Sequence, residues 1–160
     1  MLKNILSITL IYFGSISLVI AGPLVDFSSG MTRMKVGEAF SLDVVMHDFP
    51  NTEGGGVNLL FNPDVLQVNA VTINGDAWDF ENRSGEIDNS AGSVSDILFT
   101  SYKGVAGEAK VATVEFHAIG RGKTTLYLSE SETNPFAAGG ERVSVEYGTA
   151  SVRVRGGKNK

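Results

Sequence analysis

The sequence predicts an all-β sandwich. Apolar and polar residues alternate along short runs, those runs are rich in Val, Ile, Thr and Phe, and Gly, Asn or Asp fills the gaps between them. Alternation at period two sends successive side chains to opposite faces of a sheet, so each run buries one face and wets the other. β-branched and aromatic side chains suit that pleated, half-buried surface.

Taken in order, Ser41–His47 places Leu42, Val44 and Met46 on one face. Val57, Leu59 and Phe61 then alternate with Asn58, Leu60 and Asn62, and Val65–Ile73 is a β-branched run. Ile97 and Phe99 alternate with Leu98 and Thr100, and Tyr102 falls in phase with the second set. Val111–Phe116 repeats the alternation, and Thr124–Leu128 sets Leu126 and Leu128 against Thr125 and Tyr127. Val143–Tyr147 and Ala150–Arg155 complete the series. Val36-Gly37-Glu38, Asn62-Pro63-Asp64, Asn74-Gly75-Asp76, Lys103-Gly104, Gly120-Arg121-Gly122 and Gly139-Gly140 read as turns. Glycine supplies positive φ there, and Asn or Asp bonds its own backbone. Val105–Thr113 alone could hold a helical turn, and it reads as a loop leading into a strand. Eight or nine short strands at this spacing make a sandwich or a barrel.

The first 21 residues stand apart. Met1–Asn4 is a short basic start, Ile5–Ile20 is apolar or small throughout, and Val19-Ile20-Ala21 has the small-residue pattern read by signal peptidase. This is the layout of a secretory signal peptide, which would put the mature terminus at Gly22 and the protein outside the cytoplasm, extracellular or periplasmic. The alternative is a retained anchor, for which the apolar run falls short of the roughly 20 residues that cross a bilayer. Residues 22–155 then form one domain, and 156–160 a frayed, solvated tail. Cleavage removes Lys3 and leaves the chain one unit more acidic than its full-length net charge of −5. An acidic balance argues against a nucleic-acid partner, which calls for a basic stripe. There is no cysteine, which excludes disulfides, thiol catalysis and thiolate metal sites.

The residues that could carry catalysis do not assemble into a motif. His47 and His117 are the only histidines, each alone in a strand pattern, whereas nucleophilic catalysis needs a base with an orienting partner. Gly54-Gly55-Gly56 lacks the following helix that phosphate binding uses. Asp76, Asp79, Glu81, Glu86 and Asp88 gather around Trp78 and Phe80, but their spacing is not that of a calcium loop, and a glycosidase pair would have to face across a cleft. They read as an acidic rim; no cofactor, metal or enzymatic activity is expected. Asn82-Arg83-Ser84 is a formal glycosylation acceptor that reads as a turn. Trp78, Tyr102, Tyr127 and Tyr147 are the aromatics that could stack on sugar rings or anchor a protein partner.

The order of elements resembles the cohesin family. Val36–Val44 is similar to the family's opening turn and strand, and Gly56–Val68 to its aromatic–Asn–Pro–x–Val–Leu–x–Val stretch. Gly107–Ala118 resembles the penultimate hydrophobic block, Asn134–Ala138 the Phe-Ala segment after strand eight, and Gly148–Val154 the closing strand. The likeness covers about residues 24–155. It implies a nine-stranded jelly-roll sandwich, shared with family 2 and family 3 carbohydrate-binding modules. It also implies a non-catalytic module that binds dockerins, the calcium-loaded modules carried by polysaccharide-degrading enzymes. The chain departs from the family where dockerin-binding cohesins place Asn and Asp at the start of the third strand: here those positions are Gly54 and Gly56. The alternative reading is a module that binds a polysaccharide directly, which would call for a coplanar row of exposed aromatics.

In the cohesin arrangement, strands eight, three and six adjoin in the sheet that meets the partner. With Val57, Leu59, Ile97, Phe99, Leu126 and Leu128 inward, alternation puts Leu60, Leu98, Thr100, Tyr102 and Tyr127 on the outer face as partner-binding candidates. Leu60, Leu98, Tyr102 and Tyr127 are expected to form one apolar patch, of a kind that soluble monomers rarely expose without a use.

Overall fold

A computed structural model describes residues 22–156; the expected signal segment and the last four residues lie outside the described residues. Every regular element among the described residues is a strand: β1 (Leu24–Phe27), β2 (Met31–Lys35), β3 (Ala39–Leu60), β4 (Leu66–Ile73), β5 (Arg83–Asp88), β6 (Ser93–Ala118), β7 (Gly122–Glu130), β8 (Ala137–Ala138), β9 (Glu141–Arg142), β10 (Glu146–Tyr147) and β11 (Thr149–Arg155).

Two very long strands organise the molecule. β3 and β6 pair antiparallel from Ala39↔His117 to Leu60↔Ser93, and the ladder slips repeatedly in the middle, around Phe49↔Gly107 and Thr52↔Val105. Residues that favour a bend collect there. Pro50 removes a ladder donor, Asp48 takes φ +57, and Gly104 and Gly107 take φ +70 and +74. A Cβ on Gly104 would also lie 2.5 Å from the Asn51 amide, which would have to move aside. Each long strand therefore serves two layers. In the back layer, β1 and β4 flank the first half of β3 and the second half of β6, and β10 adds to β1. The front layer runs β5, first half of β6, second half of β3, β7, β11, β2.

The inner faces meet in one core. Leu42, Val44, Met46, Val114 and Phe116 come from the back, and Val57, Leu59, Ile97, Phe99, Leu126 and Val152 from the front. Phe61 meets Phe116 edge-on across the layers, with centroids 6.5 Å apart. Fully burying a side chain of this kind contributes about 1.5–3 kcal/mol.

The inward and outward assignments made from alternation hold on β3, β6 and β7, but three expectations need correction. Ser41–His47 and the run from Val57 are halves of one strand, as are Ile97–Thr100 and Val111–Phe116. Val105–Thr113 is therefore strand, because pairing with β3 carries it through the bend. In Val143–Tyr147 only Glu146 and Tyr147 pair, in parallel with β1. The Gly139-Gly140 turn is present, with φ of +59 and +79 closing the β8–β9 hairpin.

Candidate functional site

The outer face of the front layer carries the exposed apolar side chains. Leu60 ends β3 and lies in register beside Tyr127 of β7; they are 51% and 52% exposed. Leu98 sits half-buried between Gly56 of β3 and Arg83 of β5. Thr100 stands opposite Gly54, its hydroxyl donating to the Glu81 carbonyl at 2.7 Å and its N–H to Asn82 Oδ1 at 3.1 Å. Tyr102 is 73% exposed, and its ring lies 4.1 Å from that of Phe80, itself 46% exposed. All five predicted residues thus share one outer face, but the four apolar ones are not one patch. Leu60 and Tyr127 form one end and Tyr102 and Phe80 the other. Leu98 lies between, four residues (about 13 Å of strand) from each.

A shallow groove runs through the middle of this stripe. Leu98 and Thr100 floor it, Glu81, Asn82 and Arg83 form one bank, and Thr133 and Asn134 the other. The Thr133–Asn134 bank is held by polar contacts. Leu59 pairs with Val94 but Val57 with Ile97, so Ser95–Asp96 is a β-bulge, and Asp96 takes φ +56. Asn58 accepts the Asp96 N–H at 2.9 Å and donates to the Glu130 carbonyl at 2.9 Å, which ties β6, β3 and β7 together. Ser131 Oγ donates to Asp96 Oδ1 at 2.5 Å, and Asn134 donates to the Gly55 carbonyl at 3.0 Å. The Ser131 and Thr133 hydroxyls hold the Asp96 carboxyl below the usual carboxylate range. The Tyr102 N–H and the Ser101 hydroxyl do the same for Asp79.

The glycine triplet makes this close packing possible. A Cβ on Gly54 would lie 2.7 Å from the Phe99 carbonyl oxygen. On Gly55 it would lie 2.5 Å from the Phe136 ring, and on Gly56 2.7 Å from Leu98 Cδ2. Phe136 is fully buried against Phe49 and Phe99, so the segment after β7 covers the place where side chains on β3 would stand.

Several solved structures similar to this one are cohesins. A non-cellulosomal cohesin from the hyperthermophilic archaeon Archaeoglobus fulgidus superposes with a TM-score of 0.70 at 14% identity, over 84% of this chain and 92% of its own. The fold is that of a cohesin. The third ScaC cohesin of Acetivibrio cellulolyticus, solved in complex with the ScaB dockerin, gives 0.66 at 16% identity, over 82% of this chain and 98% of that one. A Clostridium thermocellum OlpA cohesin, in complex with Doc918, gives 0.63 at 9% identity, over 84% and 100%. No family model matches the sequence, and no curated protein does. Against the cohesin pattern, the absence of Asn and Asp at positions 54 and 56 has a steric cause: neither position has room for a side chain.

Several other candidates fall elsewhere. Trp78 is fully buried, its ring 4.6 Å from that of Phe99 and tilted by 60°, and it donates to the Lys110 carbonyl at 3.2 Å, so it is a core residue. Tyr147 is half-buried with its hydroxyl enclosed and unpartnered, and burial pushes that hydroxyl's pKa up. His47 meets Glu108 at 3.3 Å on the surface. Among the described residues, no group of three His, Asp or Glu side chains is placed to hold a metal. Phe80, the Asp96 bulge and the Ser131–Asn134 bank are additions of the structure. Phe80 was visible in sequence only as an aromatic among acids.

Proposed function

We propose that this chain is a secreted, non-catalytic binding module that docks a dockerin-like, calcium-loaded protein through the outer face of β5, β6, β3 and β7, in the setting of polysaccharide degradation. The observation that carries this reading is the exposed stripe from Leu60 and Tyr127, past Leu98, to Tyr102 and Phe80. Apolar anchors surrounded by polar groups are how protein interfaces concentrate their binding energy. Similar structures add support, since cohesins of this fold are solved with dockerins bound. Gly54 and Gly56 remove the family's polar donors from β3, so recognition here would rest on the apolar stripe and on Glu81, Asn82, Arg83 and Thr133 along the groove. Direct binding of a polysaccharide fits less well, because the exposed rings form two separated sites with a leucine between them.

Titration calorimetry against a panel of calcium-loaded dockerin modules tests the proposal. At least one dockerin should bind, and Leu60→Asp should weaken it by roughly 2 kcal/mol if Leu60 is an anchor, with the melting temperature unchanged because the side chain is already half in water. Binding that is indifferent to Leu60→Asp, or confined to polysaccharide, contradicts it.

A further inference from the structure

A second surface lies across β7, β11 and β2, beyond the apolar stripe. Register places Lys123 beside Arg153, and Arg153 beside Arg33. One row further along, Arg155 pairs with Lys35, and Arg121 closes the row, its Cδ 3.1 Å from where a Cβ on Gly156 would be. All six side chains are exposed. They are six of the ten lysines and arginines among the described residues of an acidic chain, and none of them is in an ion pair there. Glu38 lies beside Lys35, its carboxylate accepting the Lys35 backbone N–H at 2.8 Å, and Asp64 packs against Gly120, next to Arg121.

Like charges directly opposite each other across strands destabilise a sheet. Two such rows side by side therefore work against the fold unless an anion covers them. Strand geometry spaces the cations about 4.8 Å across the strands and about 6.8 Å along them. Two shallow depressions, joined through Lys123 and Arg153, carry this charge from Gly156 to Met31.

We propose that this furrow binds a linear polyanionic glycan, one bearing uronate or sulfate groups. The lining selects among polyanions. It holds cations, the Ser151 hydroxyl and, at one end, the exposed Met31 side chain, with no aromatic ring. Single-stranded nucleic acid would call for stacking rings, and an acidic protein for a cluster of aromatic or apolar anchors, where the furrow offers Met31 alone. A furrow rather than a plane suits a single chain better than a bilayer surface. A glycan with repeating acidic groups and hydroxyls needs only what is present.

Binding to polygalacturonate and to heparin, with dextran as the neutral control, tests this at about 50 and about 200 mM salt. Both polyanions should bind and dextran should not, with affinity falling steeply as salt rises. The variant R33Q/K123Q/R153Q should bind at least about tenfold more weakly at low salt and flatten the salt slope by two to three units, because each neutralised cation contributes about one. Arg153→Gln alone should move both quantities in the same direction. The triple variant should melt at or above the parent temperature, since repulsion is removed. Tyr102→Ala, a charge-neutral change at the far end of the apolar stripe, should leave glycan binding unchanged, which separates this surface from the protein-docking face. The proposal is overturned by failure of both glycans to bind, or by binding unaltered in the triple variant. Tighter binding of poly-glutamate, a single-stranded oligonucleotide or phosphatidylglycerol vesicles through the same residues also overturns it.

Discussion

At Asp96 the backbone and the side chain act as one device. A φ of +56 lets β6 accommodate an extra residue, so that Val94 and Ile97, three apart, both point into the core. The carboxylate then holds Ser131, and through it the segment that crosses the glycine triplet. Because the Ser131 and Thr133 hydroxyls depress the pKa of Asp96 in the folded state, the stability they contribute is present above the ordinary value of 3.8 and is lost as pH falls through the depressed folded value. Melting curves should therefore show wild type above Ser131→Ala at neutral pH, with the gap narrowing below pH 3.8. A gap independent of pH would mean that Ser131 acts by packing alone. None of this is legible in the sequence. Asp96 looks like one polar residue among others, and Gly54-Gly55-Gly56 looks like a bare run until Phe99, Phe136 and Leu98 are seen against it.

Alternation gave the faces of the elements correctly but not their extent. Leu42, Val44, Met46, Val57, Leu59, Ile97, Phe99, Leu126 and Leu128 are all buried as the period-two pattern requires. That β3 and β6 each run through a bend and serve both layers is not local information; it depends on pairing between residues some 60 positions apart, such as Met46 with Ala109. The turn signal at Lys103-Gly104 was real but marked a bend within a strand. Gly104→Ala should destabilise the domain by about 1–2 kcal/mol, the cost of a non-glycine residue at positive φ, with further loss from the contact with Asn51. Denaturant unfolding measures it, and a neutral substitution would show that the bend does not depend on this position. The same limit of local pattern explains Trp78. An aromatic in an acidic connection gives no sign that the connection folds back to place its ring on Phe99.

For the whole molecule, a net charge of −5 hid an uneven distribution, in which six cations converge only when β7, β11 and β2 are laid side by side. The overall architecture was more accessible, because the ordered set of strands and turns survives at identities of 9–16% to cohesins of the same fold. The same sheet thus presents two distinct surfaces, one apolar and one basic, and the apolar one is the centre of the functional account. Its most direct test is an NMR titration of the isotope-labelled protein with a dockerin that binds it. The account predicts amide shift changes concentrated at Leu60, Leu98, Thr100, Tyr102 and Tyr127. Changes centred instead on β1, β4 and the back halves of β3 and β6 would contradict it.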